Sequence, residues 1–160
     1  MSDTLHILRP SAPRRAMGFA IQLALGLMLL WLAAVHPPEN PLWLAFLVVL
    51  GVAALVLAHR GWRGSAQGIV LTEDGLFSED GTAIAPLAQI ASVDRALFSF
   101  KPSNGFLVRL TDPLGRAWVP GMWWRLGRRV GIGGVTGGAE TKIMADALSF
   151  MVAQRDGDAG

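Results

Sequence analysis

Cysteine is absent from all 160 residues, and so is tyrosine. The first absence excludes disulfides, thiolate metal sites and cysteine nucleophiles. It suits a reducing compartment without fixing one. Charge is scarce as well. Only 16% of residues are Asp, Glu, Lys or Arg, while 52% are hydrophobic; an ordinary soluble domain is about a quarter charged. The three histidines, His6, His36 and His59, all lie in the amino-terminal part. Beyond them a histidine general base or imidazole metal ligand is excluded, and acid–base chemistry falls to Asp, Glu and Lys. A net charge of +2 with a pI near 9.9 is too small a bias to imply nucleic acid.

The shortage of charge is local. Residues 16–35, AMGFAIQLALGLMLLWLAAV, carry one polar side chain, Gln22, and no charge. At about 1.5 Å per residue they span roughly 30 Å, the hydrocarbon thickness of a bilayer. Residues 42–58, LWLAFLVVLGVAALVLA, carry nothing polar, and Trp43 and Trp62 can extend this shorter run as interfacial anchors. Buried helices of a soluble protein would show a polar stripe, which neither run has. A signal peptide would fit the Arg14–Arg15 pair, but a second apolar run follows six residues later. The pattern therefore predicts a transmembrane hairpin. The connector HPPENP, residues 36–41, ends the first helix with three prolines and forces a reversal. Arg9, Arg14 and Arg15 precede the hairpin and Arg60 and Arg63 follow it, whereas the connector holds Glu39 and His36. Positive charge on one side places both termini in the cytoplasm.

From Gly64 onward turn chemistry recurs at short intervals: Asp74-Gly75, Asp80-Gly81, Ser103-Asn104-Gly105 and Asp112-Pro113-Leu114-Gly115. Between the turns lie short runs with strand character: Gly68–Thr72, Gly75–Ser78, Thr82–Ala85, Ile90–Phe100, Phe106–Thr111, Arg116–Pro120 and Arg128–Gly134. Such spacing predicts a small antiparallel sandwich or barrel. In Ala139–Gln154 the apolar positions Ile143, Met144, Ala147, Leu148, Met151 and Val152 fall on one face of an amphipathic helix. The expected fold is thus an α+β membrane protein. Residues 1–15 form a cytoplasmic segment, 16–58 the hairpin, 66–155 the domain and 156–160 a disordered tail.

This order resembles the bacterial pleckstrin-homology-like domain. The likeness is carried by the hairpin at 16–58, the strand pair GIVLTEDGLFSEDGT, the stretch IAPLAQIASVDR and the final helix. It implies a curved antiparallel sheet plugged by the last helix, often preceded by a two-helix hairpin in the bacterial inner membrane. The stretch WWRLGRRVGIGGVTGGAETK is also similar to a segment common in small alphaproteobacterial membrane proteins, which implies a lineage. Neither likeness carries a functional residue onto this chain.

Candidate chemistry is sparse. Glu73/Asp74 and Glu79/Asp80 pair acids that could offer hard oxygen ligands, or simply occupy hairpin turns. Asp94 could pair with Arg95 or Arg109 across a sheet. VGIGGVTGG departs from a dinucleotide fingerprint, because Thr136 stands where the third glycine belongs, and it lacks the Lys-Ser/Thr of a phosphate loop. Its glycines either bind an anion through backbone N–H groups or let the chain bend closely past the helix. Trp118, Trp123, Trp124, Arg125, Arg128 and Arg129, with Lys101 from the loop Phe98–Phe106, form the candidate surface for membrane lipids or a protein partner. Otherwise the tryptophans fill the core. No catalytic residue, metal or cofactor is expected. The reading is a non-enzymatic inner-membrane interaction protein that docks a protein or the anionic lipid surface. The alternative is an accessory or assembly subunit of a larger membrane complex, held through a hairpin in which Gly18, Gly26 and Gly51 let helices approach.

Overall fold

The computed structural model describes residues 3–95 and 104–159. Lys101, and Phe98 and Phe100 of the aromatic loop, lie outside the described residues. Two long helices, α1 (Ala12–Val35) and α2 (Pro41–Gly64), are the apolar runs, each lengthened to 24 residues. Proline at N1/N2 begins both, where a missing N–H costs nothing. Asn40 caps α2 by accepting from the Leu42 N–H at 2.9 Å. Both helices are long and apolar enough to cross a membrane, and only 11% and 17% of their most apolar windows are buried. Helices this greasy and this exposed do not serve as a soluble core.

The hairpin is not a tail hung on the domain. Residues 1–15 read as a simple segment, yet Thr4–Leu8 form a strand, β1. It pairs antiparallel with β2 (Ile69–Thr72), on the far side of both helices in sequence. Strands β3 (Gly75–Ser78) and β4 (Ala83–Pro86) complete a four-stranded sheet in the order β1-β2-β3-β4. A short 3-10 turn, Leu87–Gln89, leads into β5 (Ile90–Asp94), then β6 (Phe106–Val119) and β7 (Trp123–Ile132), a three-stranded sheet in sequence order. The two sheets do not close into the expected barrel. The expected strands Phe106–Thr111 and Arg116–Pro120 are one strand. The Asp112–Gly115 turn is replaced by register irregularities between Arg109 and Ala117, which absorb Pro113 and Gly115.

Helix α3 (Gly138–Asp158) is longer than its expected span and takes in most of the residues expected to fray. Arg155 holds the end down by donating to the Leu87 carbonyl at 2.5 Å. Met144, Ala145, Leu148 and Val152 face a core shared with Leu8, Ile69, Leu71, Leu76, Ile84, Phe106, Val108 and Ile132. Thus β1, the first element of the chain, contributes to the same core as the last helix.

Candidate membrane interface

The site begins where the helices meet the sheet. The Ser11 N–H donates to the Val135 carbonyl at 2.8 Å, and Pro10 forms a bridge with Thr136. Arg14 donates to the Thr136 carbonyl at 2.8 Å. Arg15 donates from Nε to Ser65 Oγ at 2.8 Å and from its second nitrogen to the Trp62 carbonyl at 2.5 Å. The Arg15 guanidinium also lies 4.1 Å from the Trp62 ring centroid. On the other side, Gly64 of α2 carries no Cβ because one would sit 2.7 Å from Val119 Cγ1. The domain is therefore hydrogen-bonded to the start of α1 and packed against the end of α2.

The glycine-rich stretch makes this junction. Gly134 has φ +121, and a Cβ there would strike the Gly121 backbone. Only glycine lets the segment 133–135 cross the β6–β7 turn this closely. The crossing is fixed by Gly133 N–H to the Met122 carbonyl and Val135 N–H to the Gly121 carbonyl, both at 2.9 Å. Thr136 is fully buried, and Thr141 Oγ1 hydrogen-bonds its hydroxyl at 3.0 Å. Close backbone passage accounts for Gly134, although the segment passes the β6–β7 turn and not, as expected, the helix.

The tryptophan–arginine cluster divides. Trp118 is 53% exposed, at the domain end of α2. It shares a cleft of about 300 Å³ with His59, Arg60 and Arg63. Trp123 is in the core at 5% exposure. Trp124 is half-buried, its indole lying where a Gly131 Cβ would stand. Arg125 donates to the carbonyls of Gly115 (2.7 Å), Ala83 (3.0 Å) and Ile84 (3.1 Å), and so ties β7 to β4. Alanine at Arg125 would strip three carbonyls of a charged donor, so this residue is no clean test of surface charge. Arg128 and Arg129 are exposed, but Arg129 lies six residues beyond Trp123, about 20 Å along an extended strand. Arg129 stands directly opposite Arg109.

Sequence reasoning missed Arg60 and Arg63 as members of the site and used them only for orientation. Among the described residues neither side chain has an ion-pair or hydrogen-bond partner. Their spacing of three on a helix, ahead of a tryptophan-bearing turn, was the available signal.

The acidic pairs serve turns. Glu79 accepts from the Gly68 N–H at 2.8 Å and lies 3.7 Å from Arg9. Asp80 accepts from the Thr82 N–H at 3.0 Å. That backbone bond leads the causes holding its carboxyl below the ordinary range. Arg95 pairs with Asp146 of α3. Among the described residues no group of three or more His, Asp or Glu could hold a metal ion.

Aromatic side chains gather at both ends of the hairpin. Trp62 meets Phe19 at 5.0 Å, ring planes tilted by 48°, near the domain. Trp31 meets His36 at 5.8 Å and Trp43 meets Phe46 at 5.6 Å near the connector. Trp43 and Trp62 lie nineteen residues apart on α2, about 28 Å along the axis. No family model, no curated protein and no solved structure matches this chain.

Proposed function

We propose that the chain is a two-span inner-membrane interaction protein that acts by binding. The hairpin crosses the bilayer with its arginine-bearing ends in the cytoplasm, and the domain, read as pleckstrin-homology-like, is held against the anionic leaflet. The observation that carries the reading is the cleft joining Trp118 to Arg60, Arg63 and His59 at the domain end of α2. Indole rings favour the headgroup zone. Each arginine near an anionic surface contributes about 1 kcal/mol. The aromatic bands, spaced by about the hydrocarbon thickness, support the same placement.

The face turned to a partner is the arginine face. Arg109 and Arg129 are exposed and directly opposed, an arrangement that costs stability when nothing neutralises it. An acidic segment of a protein partner fits that face; Arg128, the neighbouring strand position, points to the other side of the sheet.

The leaflet contact is tested on the full chain in lipid nanodiscs by amide hydrogen exchange. Exchange at Trp118–Met122 is expected to slow in anionic relative to zwitterionic discs, and to lose that difference in the Arg60→Gln/Arg63→Gln variant. Equal exchange in both lipids for the native chain would sink the reading.

A further inference from the structure

A second cleft, on the other side of the β6–β7 turn, is built from two matching helix faces. Arg15, Gly18, Phe19 and Gln22 of α1 stand at i, i+3, i+4 and i+7. So do Ala58, Gly61, Trp62 and Ser65 of α2. Pro120, Gly121 and Val135 of the domain roof it. The space is about 320 Å³, within the range of small-molecule sites. Small residues hold it open. A Cβ on Gly18 would meet nothing within 4 Å, and one on Gly61 would make only ordinary contact with Pro120.

The cleft has a polar gradient. At its domain end Arg15 is held, among the described residues, by neutral acceptors only, Ser65 Oγ and the Trp62 carbonyl, and its first terminal nitrogen has no partner among them. Seven residues deeper, about 10 Å, stands Gln22, the one polar side chain of its run. No described residue hydrogen-bonds its amide. Side chains on a helix lean toward its amino terminus, so both the Arg15 guanidinium and the Gln22 amide lean toward the domain. An intramembrane polar group without a protein partner is costly and points to function. The walls between, Phe19, Ile21 and Ala58, are apolar.

We propose that this cleft binds one phospholipid molecule, its phosphate on Arg15 and its ester carbonyl on the Gln22 amide, with the acyl chains leaving along α1. A carboxylate-free guanidinium with unused donors complements a phosphate, and an amide N–H₂ complements an ester carbonyl deeper in the bilayer. The inference rests on the bilayer-spanning reading of the hairpin. It concerns a bound lipid, distinct from the diffuse leaflet contact of Trp118.

The test uses the full chain, released from nanodiscs of mixed native lipids into mild detergent, and native mass spectrometry. One phospholipid adduct per chain is expected, enriched over the bulk lipid composition. Gly18→Leu fills the cleft with no backbone to displace, and Gln22→Leu removes the amide. Each is expected to lower adduct occupancy about tenfold at an unchanged unfolding temperature. An adduct that survives both substitutions, or one that mirrors bulk lipid and is therefore annular, would overturn the proposal. Carbonate extraction of the same membranes separates the failures. A chain released by carbonate defeats the spanning reading; a chain retained without an enriched adduct defeats the cleft alone.

Discussion

Leu8→Asp is expected to unfold the α+β domain while the hairpin stays in the membrane. Leu8 is fully buried and belongs to the core cluster with Ile69, Leu71 and Leu148. Its backbone pairs with Ile69. Among the described residues no cation lies in the core to meet a carboxylate there, and burying such a group costs about 4 kcal/mol or more. That is a large share of the roughly 5–15 kcal/mol that stabilises an ordinary domain. Limited proteolysis of the reconstituted chain, followed across β6 and β7, reads the effect directly. The same reasoning says that a chain beginning at Gly64 lacks part of its own sheet. It is expected to aggregate, and to regain a cooperative transition when residues 3–10 are fused back through a flexible linker. A Leu8→Asp protein that melts with the native one would show that β1 is dispensable.

The second large effect is expected in the hairpin. Gly26 and Gly51 face each other. A Cβ on Gly26 would come within 2.7 Å of Leu55 Cδ2 and 3.0 Å of the Gly51 carbonyl, and one on Gly51 within 2.9 Å of Leu30 Cγ. In lipid no hydrophobic force draws helices together, so this close packing is what holds α1 to α2. The Gly26→Leu/Gly51→Leu variant must push the axes apart, at a cost of about 2–4 kcal/mol. The strain reaches the sheet, because β1 and β2 continue from the two helix ends. Detergent-induced unfolding of the reconstituted protein is expected to shift to lower denaturant, with β1 losing exchange protection. Gly18→Ala is the internal control and is expected to leave stability unchanged, since a Cβ there meets nothing within 4 Å. Equal stability of the double variant and the control would remove the glycine contact from the account. These glycines were read as devices for assembly with other subunits, yet Gly26 and Gly51 are consumed inside the hairpin.

Much of this was legible because it depends on local pattern. The apolar runs, the Asp74-Gly75 and Asp80-Gly81 turns and most of the α3 face are each set within a few residues; Ile143, expected on that face, is 55% exposed, and Ala145 is buried instead. What escaped depends on partners distant in sequence. Thr4–Leu8 is a five-residue strand whose partner lies some sixty residues away, beyond both long helices, and no short window contains that pairing. Asp112–Gly115 carries turn chemistry, but the long ribbon overrides it by shifting register. The true reversal comes at Pro120–Met122. Arg125 looked like a surface cation beside tryptophans. Its strand position instead aims it at the carbonyls of β4, which only the meeting of the two sheets reveals. The candidate site is therefore part of the expected cluster, Trp118, joined to arginines that the sequence had assigned to topology alone.

The pairing of β1 with β2 has a topological consequence. Residues 4–8 and 69–72 share one sheet, so the two ends of the hairpin must lie on the same side of any membrane it crosses. The absence of cysteine makes the side measurable. Glu39→Cys in the connector and Asp158→Cys at the end of α3 each introduce a single thiol, to be challenged with a membrane-impermeant maleimide on intact spheroplasts. The account predicts immediate labelling of the Glu39→Cys chain and labelling of the Asp158→Cys chain only after permeabilisation. Labelling of both chains on intact spheroplasts, of neither, or in the reverse order would contradict it.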